Sequence, residues 1–230
     1  MMLHSNALQR MRILDGLWQV GGNGFSGPAD AGVYMVRFGR SAALIDTGCG
    51  DGQERLMDNI AECLPAGCRV SALLLTHCHF DHSGGARALR QAFGCPITAH
   101  HLDAHFLEQG DDRATAACWY GAEMAPLEVD IKLTTSPTDI SVGSGVITAH
   151  HCPGHSPGSL VYTAQLGANR VLFGQDIHGP LHAMLRSNAI DYYASLERML
   201  DMQADLLCEG HFGVIRGRAA VAQFIRSYLP

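Results

Sequence analysis

The stretch Thr76-His77-Cys78-His79-Phe80-Asp81-His82 constrains this chain more than any other. It packs three histidines and one aspartate into six residues. The apolar run Val70 to Leu75 just before it reads as a buried strand. Ser83-Gly84-Gly85 just after it opens a helical pattern. A strand that feeds a short ligand-rich loop and then a helix is a rigid mount for metal ions. Imidazole and carboxylate donors suit zinc, and also iron or manganese. A polar loop that carries histidines by chance would have no counterparts, yet matching donors recur downstream at isolated glycine-flanked positions.

The rest of the chain narrows the function classes. Its 230 residues suffice for one large domain or two small ones, with a sizeable core. Hydrophobic residues make up 47% and charged residues 17%, which argues for a buried, ordered protein rather than disorder. The formal net charge is −6 with no long basic run, so no nucleic-acid partner is expected. The eight cysteines form no C-x-x-C pair, and several sit inside apolar strand patterns; this reads as a reduced compartment, not a disulfide framework. Met1 to Arg12 lacks the apolar centre of a secretory signal. No run approaches the roughly 18 apolar residues of a membrane span. A cytoplasmic protein with no membrane partner is the expectation.

Taken in order, Met11 to Val20 reads as a first strand, and Gly21 to Pro28 as a glycine-rich turn or a loop over a pocket. Ala31–Phe38 and Ser41–Asp46 read as strands joined at Gly39-Arg40. Helical spacing covers Gln53–Leu64, Ala86–Phe93 and Leu102–Gln109, with a short strand at Pro96–Ala99. Asp111 to Pro126 is irregular and carries Trp119, Tyr120 and Met124. Strands follow at Val129–Leu133, Gly145–Ala149, Leu160–Ala164, Arg170–Phe173 and Leu206–Cys208. Helices are expected at Tyr192–Met202 and Ala219–Tyr228. No linker of Pro, Ser or charge separates the halves, so residues 1–230 read as one domain of mixed α and β structure.

The HxHxDH run after a hydrophobic strand resembles the signature of the metallo-β-lactamase-fold hydrolases. The rest of that family's pattern is present. His155 lies in His151-Cys152-Pro153-Gly154-His155-Ser156-Pro157-Gly158-Ser159, Asp176 in Leu172-Phe173-Gly174-Gln175-Asp176, and His211 in Glu209-Gly210-His211. The HCPGHSPGS stretch and Leu44-Ile45-Asp46-Thr47-Gly48 are most similar to the glyoxalase II-like group. The resemblance implies a four-layer αββα sandwich, an α/β (α+β) fold.

Carried over residue by residue, the resemblance implies two metal sites. His77, His79 and His155 would hold the first ion, and Asp81, His82 and His211 the second, with Asp176 between them. Residues i and i+2 of an extended stretch point the same way, so His77 and His79 can converge. Asp46 is expected to orient a ligand histidine, and Asp81 to shuttle a proton. One departure stands out: the family places its bridging aspartate directly after glycine, whereas Gln175 intervenes here. Two divalent cations, zinc first and iron or manganese as alternatives, would make water reactive at neutral pH. The implied activity is hydrolysis of a small-molecule ester, thioester or lactone. In the resembled fold the 111–126 segment roofs the active site, so Trp119 and Tyr120 are pocket candidates, together with His178, His182 and Tyr192.

Competing readings stay open at this stage. A persulfide dioxygenase-like oxidoreductase would use one iron on His77, His155 and Asp176. A β-lactamase or nuclease of the same superfamily fits the same ligands, although the missing signal and the acidic balance count against both. A metal-bound sensor without catalysis is a further alternative. Only one helix follows His211, so the helical extension that grips glutathione in glyoxalase II is not expected. A homodimer is admitted, though no motif indicates one.

Overall fold

In the computed structural model, residues 10–230 are described. The reading of residues 1–12 as free of a leader lies almost entirely outside them. The chain runs β1 Met11–Leu14, β2 Leu17–Gly21, β3 Val33–Phe38, β4 Ser41–Ile45, α1 Gln53–Cys63, β5 Arg69–Leu74, α2 Phe80–Ser83, α3 Ala86–Phe93, β6 Ile97–His100, α4 His101–Gln109 and β7 Ile131–Leu133. It continues β8 Thr138–Val142, β9 Gly145–His151, β10 Leu160–Leu166, β11 Asn169–Phe173, α5 Ala189–Asp201, β12 Leu206–Glu209, β13 Gly213–Arg216 and α6 Arg218–Arg226.

These strands form two sheets. The first has the order β1-β2-β3-β4-β5-β6-β7, the second β13-β12-β11-β10-β9-β8. Alternation along each strand sends successive side chains to opposite faces, and here both faces are apolar. Tyr34, Val36, Ala43, Ile45 and Leu74 of the first sheet meet Leu160, Tyr162, Val171 and Phe173 of the second in one central core. The alternate residues Met35, Ala42, Leu44 and Leu73 pack outward on Leu56, Ile60 and Leu89 of the helices. On the far side Val161, Leu172 and Leu207 pack on Leu196, Met199, Val221 and Ile225. The layers are therefore helix, sheet, sheet, helix, which is the expected αββα sandwich.

Two buried tyrosines tie the sheets together beside the loops that matter. The Tyr162 hydroxyl donates to the Leu75 carbonyl at 2.7 Å, and the Tyr34 hydroxyl to the Glu209 carbonyl at 2.8 Å. A phenol buried without such an acceptor would be costly. The backbone N–H of Leu160 adds a third link to the Thr76 carbonyl at 2.7 Å.

Two expectations need correction, and two strands come without one. Met11 to Val20 is not one strand but a hairpin, β1 and β2, turning at Asp15-Gly16 with Gly16 at φ 77°. Asp-Gly is a strong two-residue turn signal that overrides the weak alternation around it. Strands β8 and β13 carry no sequence expectation. Both are edge strands, and β8 reads Thr-Asp-Ile-Ser-Val with its exposed face polar. The fifth helix starts at Ala189 rather than Tyr192, because the Asn188 side chain accepts from the backbone N–H groups of Ile190 and Asp191. None of the eight cysteines is in a disulfide. Among the described residues no helix is long and apolar enough to cross a membrane.

Leu74 is fully buried between the sheets, one strand-end away from the 76–82 loop. Leu74→Ala is expected to cost about 2–5 kcal/mol of stability. Urea unfolding of metal-free protein, read as a lower midpoint at unchanged slope, checks it.

Candidate metal centre

Every candidate ligand leaves the sandwich at the same edge. His77, His79, Asp81 and His82 follow β5, His155 follows β9, Asp176 follows β11, and His211 follows β12. Strand ends in a packed sheet are fixed, so the short loops that follow them deliver these side chains with little freedom.

The side chains converge into two groups. The ligand atoms of His77, His79, His155 and Asp176 lie within 4.8 Å of one another, and so do those of Asp81, His82, Asp176 and His211. Asp176 belongs to both. In the first group, His79 Nδ1 lies 3.0 Å from His77 Nε2 and 2.9 Å from His155 Nε2. In the second, Asp176 Oδ1 lies 3.0 Å from His82 Nε2 and 3.3 Å from His211 Nε2, while Asp81 Oδ2 is 3.2 Å from His211 Nε2. Asp176 Oδ2 reaches back to His155 Nε2 at 3.4 Å. The extra residue Gln175 does not turn Asp176 away. Its side chain is buried and its Nε2 donates to the Cys152 carbonyl at 2.7 Å, so the insertion is absorbed by a bond to the His155 loop.

Outer hydrogen bonds select the ring tautomers. Asp46 Oδ1 accepts from the Thr76 backbone N–H at 2.7 Å, and Oδ2 from the Thr76 hydroxyl at 2.7 Å. With its proton so committed, Thr76 Oγ1 accepts from His77 Nδ1 at 3.0 Å. Asp46 Oδ2 also accepts from His82 Nδ1 at 2.7 Å, and the Pro180 carbonyl from His155 Nδ1 at 3.1 Å. A proton on Nδ1 leaves Nε2 with its lone pair aimed inward, which is the arrangement a metal ligand needs. Asp46 holds this position at φ 61°, a left-handed conformation that costs a non-glycine residue energy. Gly210 is required for a different reason: a Cβ there would lie 2.7 Å from Asp176 Oδ1 and 2.9 Å from His82 Cε1.

Electrostatics favours a cation at this place. Burial holds His77 well below the usual imidazole range and His79 down to about 3, so both are neutral donors. Burial would also lower His82, but Asp176, Asp81 and Asp46 outweigh it and raise it well above that range. His211 is likewise driven up to about 10, burial being overcome by Asp176 and Asp81. Asp176 and Asp81 both sit below the usual carboxylate range, burial being overcome chiefly by His82. His82 Nε2 and Asp176 Oδ1 are buried and make no hydrogen bond of good geometry. Two ring nitrogens crowded against the His79 Nδ1, and buried carboxylates facing imidazole nitrogens, are a donor set that divalent metal ions satisfy.

A metallo-beta-lactamase superfamily model matches residues 27–211. The chain belongs to that superfamily. It is 27% identical over 226 residues to the acyl-coenzyme A thioesterase MBLAC2 of Bos taurus, a match that covers 86% of this chain and 78% of that protein. It is 26% identical over 175 residues to a hydroxyacylglutathione hydrolase of Anaeromyxobacter dehalogenans, covering 74% of this chain and 58% of that protein. Among solved structures, a motif mutant of the metallo-beta-lactamase from Cronobacter sakazakii superposes with a TM-score of 0.78 at 20% identity, covering 96% of this chain and 94% of that one. This last likeness is one of fold.

Around the superfamily centre, four of the five pocket candidates form a border. The Tyr120 hydroxyl lies near the Asp81 charge, and its ring packs 5.8 Å from Phe80. Burial and then the Asp81 charge push that hydroxyl well above its ordinary pKa, so it stays a donor. Trp119 lies 5.6 Å from His182, edge to face. His178 lies 5.0 Å from the His211 ring and 5.3 Å from Phe212. Tyr192 differs: it is a buried residue of α5, and its hydroxyl donates to the Ile177 carbonyl rather than to a candidate ligand. Sequence reading passed over Thr76, Phe212, Asp103 and Glu209. Glu209 gave one faint signal, a carboxylate ending the apolar run Leu206–Cys208; Asp103 gave none, since an aspartate in a helix ordinarily faces water.

Proposed function

We propose that this metal-dependent hydrolase uses two zinc ions to cleave small acyl thioesters. The observation that carries the two-ion reading is the position of Asp176, within ligand reach of both histidine groups. Support for a thioester comes from the named activities of the bovine and Anaeromyxobacter relatives. An apolar acyl group suits the border of the site, where Trp119 and Phe212 are 48% and 57% exposed. The net charge of −6 favours a small substrate over nucleic acid.

In this reading His77, His79 and His155 would hold one ion and Asp81, His82 and His211 the other, with Asp176 within reach of both groups. The chemistry supplied by bound divalent cations is Lewis acidity, which lowers the pKa of water and polarises a carbonyl. Asp46 keeps His82 and the Thr76 backbone in register, so the 77–82 loop is preorganised before substrate arrives. Asp81 is anionic and faces the cluster; its carboxylate takes the proton of the attacking water and passes it toward the departing thiolate.

The test is a substrate panel on zinc-loaded protein: acyl-coenzyme A and S-acylglutathione thioesters, an acyl-homoserine lactone and a chromogenic β-lactam. Thioesters are expected to give kcat/KM at least about 10-fold above the other classes, a difference of roughly 1.4 kcal/mol in the barrier. A β-lactam or lactone turned over faster than every thioester would overturn the assignment. So would a single bound iron with oxygen uptake on glutathione persulfide.

A further inference from the structure

Two buried carboxylates take no part in either ligand group. Asp103, in the first turn of α4, is wholly buried, and so is Glu209 at the end of β12. We propose that both are positioning residues, each fastening together the two loops that build one of the two metal sites. The inference rests on the two-site reading above.

Asp103 joins the loops of the first site. Its Oδ2 accepts from the Cys78 backbone N–H at 2.9 Å and from the Ser156 hydroxyl at 2.6 Å, and its Oδ1 from the Gly158 N–H at 2.6 Å. Cys78 stands between His77 and His79, and Ser156 follows His155. One carboxylate thus sets the distance between the histidines that follow β5 and the histidine that follows β9. The fit is close: a Cβ on Gly158 would lie 2.6 Å from Asp103 Oδ1.

Glu209 does the same for the second site. Its Oε1 accepts from the Ile177 N–H and from His178 Nδ1, both at 3.1 Å. Its Oε2 accepts from the backbone N–H groups of His211 at 2.6 Å and Phe212 at 2.8 Å. Ile177 follows Asp176, so this carboxylate locks the Asp176 loop against the His211 loop. Glu209, His178 and Asp176 also lie within 4.8 Å of one another. Four N–H donors already occupy the Glu209 oxygens, which makes it a brace rather than a ligand.

The physical reason for using carboxylates is the number of donors. An ionised carboxylate offers two accepting oxygens, and its charged hydrogen bonds are shorter and stronger than neutral ones. An amide of the same shape turns one oxygen into an N–H₂ group that faces other N–H donors. Asp103→Asn or Glu209→Gln therefore releases one loop of its pair while leaving side-chain volume unchanged. Because the two braces serve different sites, their loss separates. A generic cost of a disturbed core would instead weaken both sites alike.

The experiment uses the full chain after chelator treatment, titrated with zinc against a competing chelator, with the sites told apart by the visible spectra of cobalt. Glu209→Gln is expected to lose about 10–100-fold in affinity at the Asp81–His82–His211 site and at least about 5-fold less at the other, which shares Asp176 but keeps its own three histidines; Asp103→Asn is expected to show the reverse preference. Amide hydrogen exchange on the metal-free variants gives a readout independent of any ion. Exchange should quicken at residues 177, 178, 211 and 212 in Glu209→Gln, and at residues 78 and 156–158 in Asp103→Asn. Should either variant fail to fold, His178→Ala and Ser156→Ala each remove a single donor and leave no buried carboxylate missing; they are expected to show the same site preference at about 3–10-fold. Equal losses at both sites, or local exchange no faster than in the wild type, would overturn the proposal. A wild-type chain that takes up only one ion would instead refute the two-ion reading, and the exchange arm would still decide on the braces.

Discussion

Asp176→Asn is expected to lower kcat/KM on the best thioester by about three orders of magnitude, roughly 4 kcal/mol of transition-state stabilisation. Tight zinc should fall from two ions per chain to one or none. The reason is geometric. Asp176 is the one residue common to both ligand groups, with Oδ1 toward His82 and His211 and Oδ2 toward His155. Asparagine keeps the volume but brings an uncharged oxygen and an N–H₂ group that repels any cation. A single-site ligand such as His79 should cost one ion when changed to alanine, whereas Asp176 touches both. Elemental analysis alongside initial rates is the measurement. Two retained ions with activity within 10-fold of wild type would sink the assignment of Asp176 to both sites.

The second large effect is the pH dependence of metal loading, and its sign differs between the two groups. His82 and His211 are raised, His211 to about 10, so near neutral pH each carries a proton that an incoming ion must displace. Each displaced proton makes affinity rise tenfold per pH unit as long as the pH lies below the raised pKa. Zinc affinity at the Asp81–His82–His211 site should therefore increase by at least about 100-fold between pH 6 and pH 8. His77 and His79 are lowered, His79 to about 3, and carry no second ring proton near neutral pH. Those two ligands add no pH dependence to the first site over the same interval. Competitive zinc titration at several pH values, with the chelator calibrated at each, reads both slopes. Equal slopes at the two sites would show that the buried imidazoles do not carry the protons assigned to them.

The convergence of the candidate ligands was legible from residue order. The i, i+2 pair His77 and His79, the Asp81-His82 step at a helix start, and the isolated loops around His155, Asp176 and His211 all reappear at one edge of the sandwich. Strand periodicity was legible too, because residues such as Tyr34 and Met35 announce by alternation that both faces of a strand are covered. Less legible were elements whose stability is borrowed from neighbours. The edge strand β8 shows a polar exposed face and pairs only with β9. Tyr192 illustrates the same limit for the site: its place in the sequence says nothing about where its hydroxyl points, and its position on the buried face of α5 turns that hydroxyl to Ile177.

By itself, the sequence determined which donors exist, how they are spaced within each loop, and which family of sandwiches can carry them. These are local properties, set by the two-residue repeat of a strand and by short loops at strand ends. Tertiary structure alone decided how the loops are held relative to one another. Asp103 meets Ser156 across 53 positions, and Glu209 meets Ile177 across 32. No local spacing encodes such contacts, because a buried carboxylate finds its donors only after the sheets have closed over it.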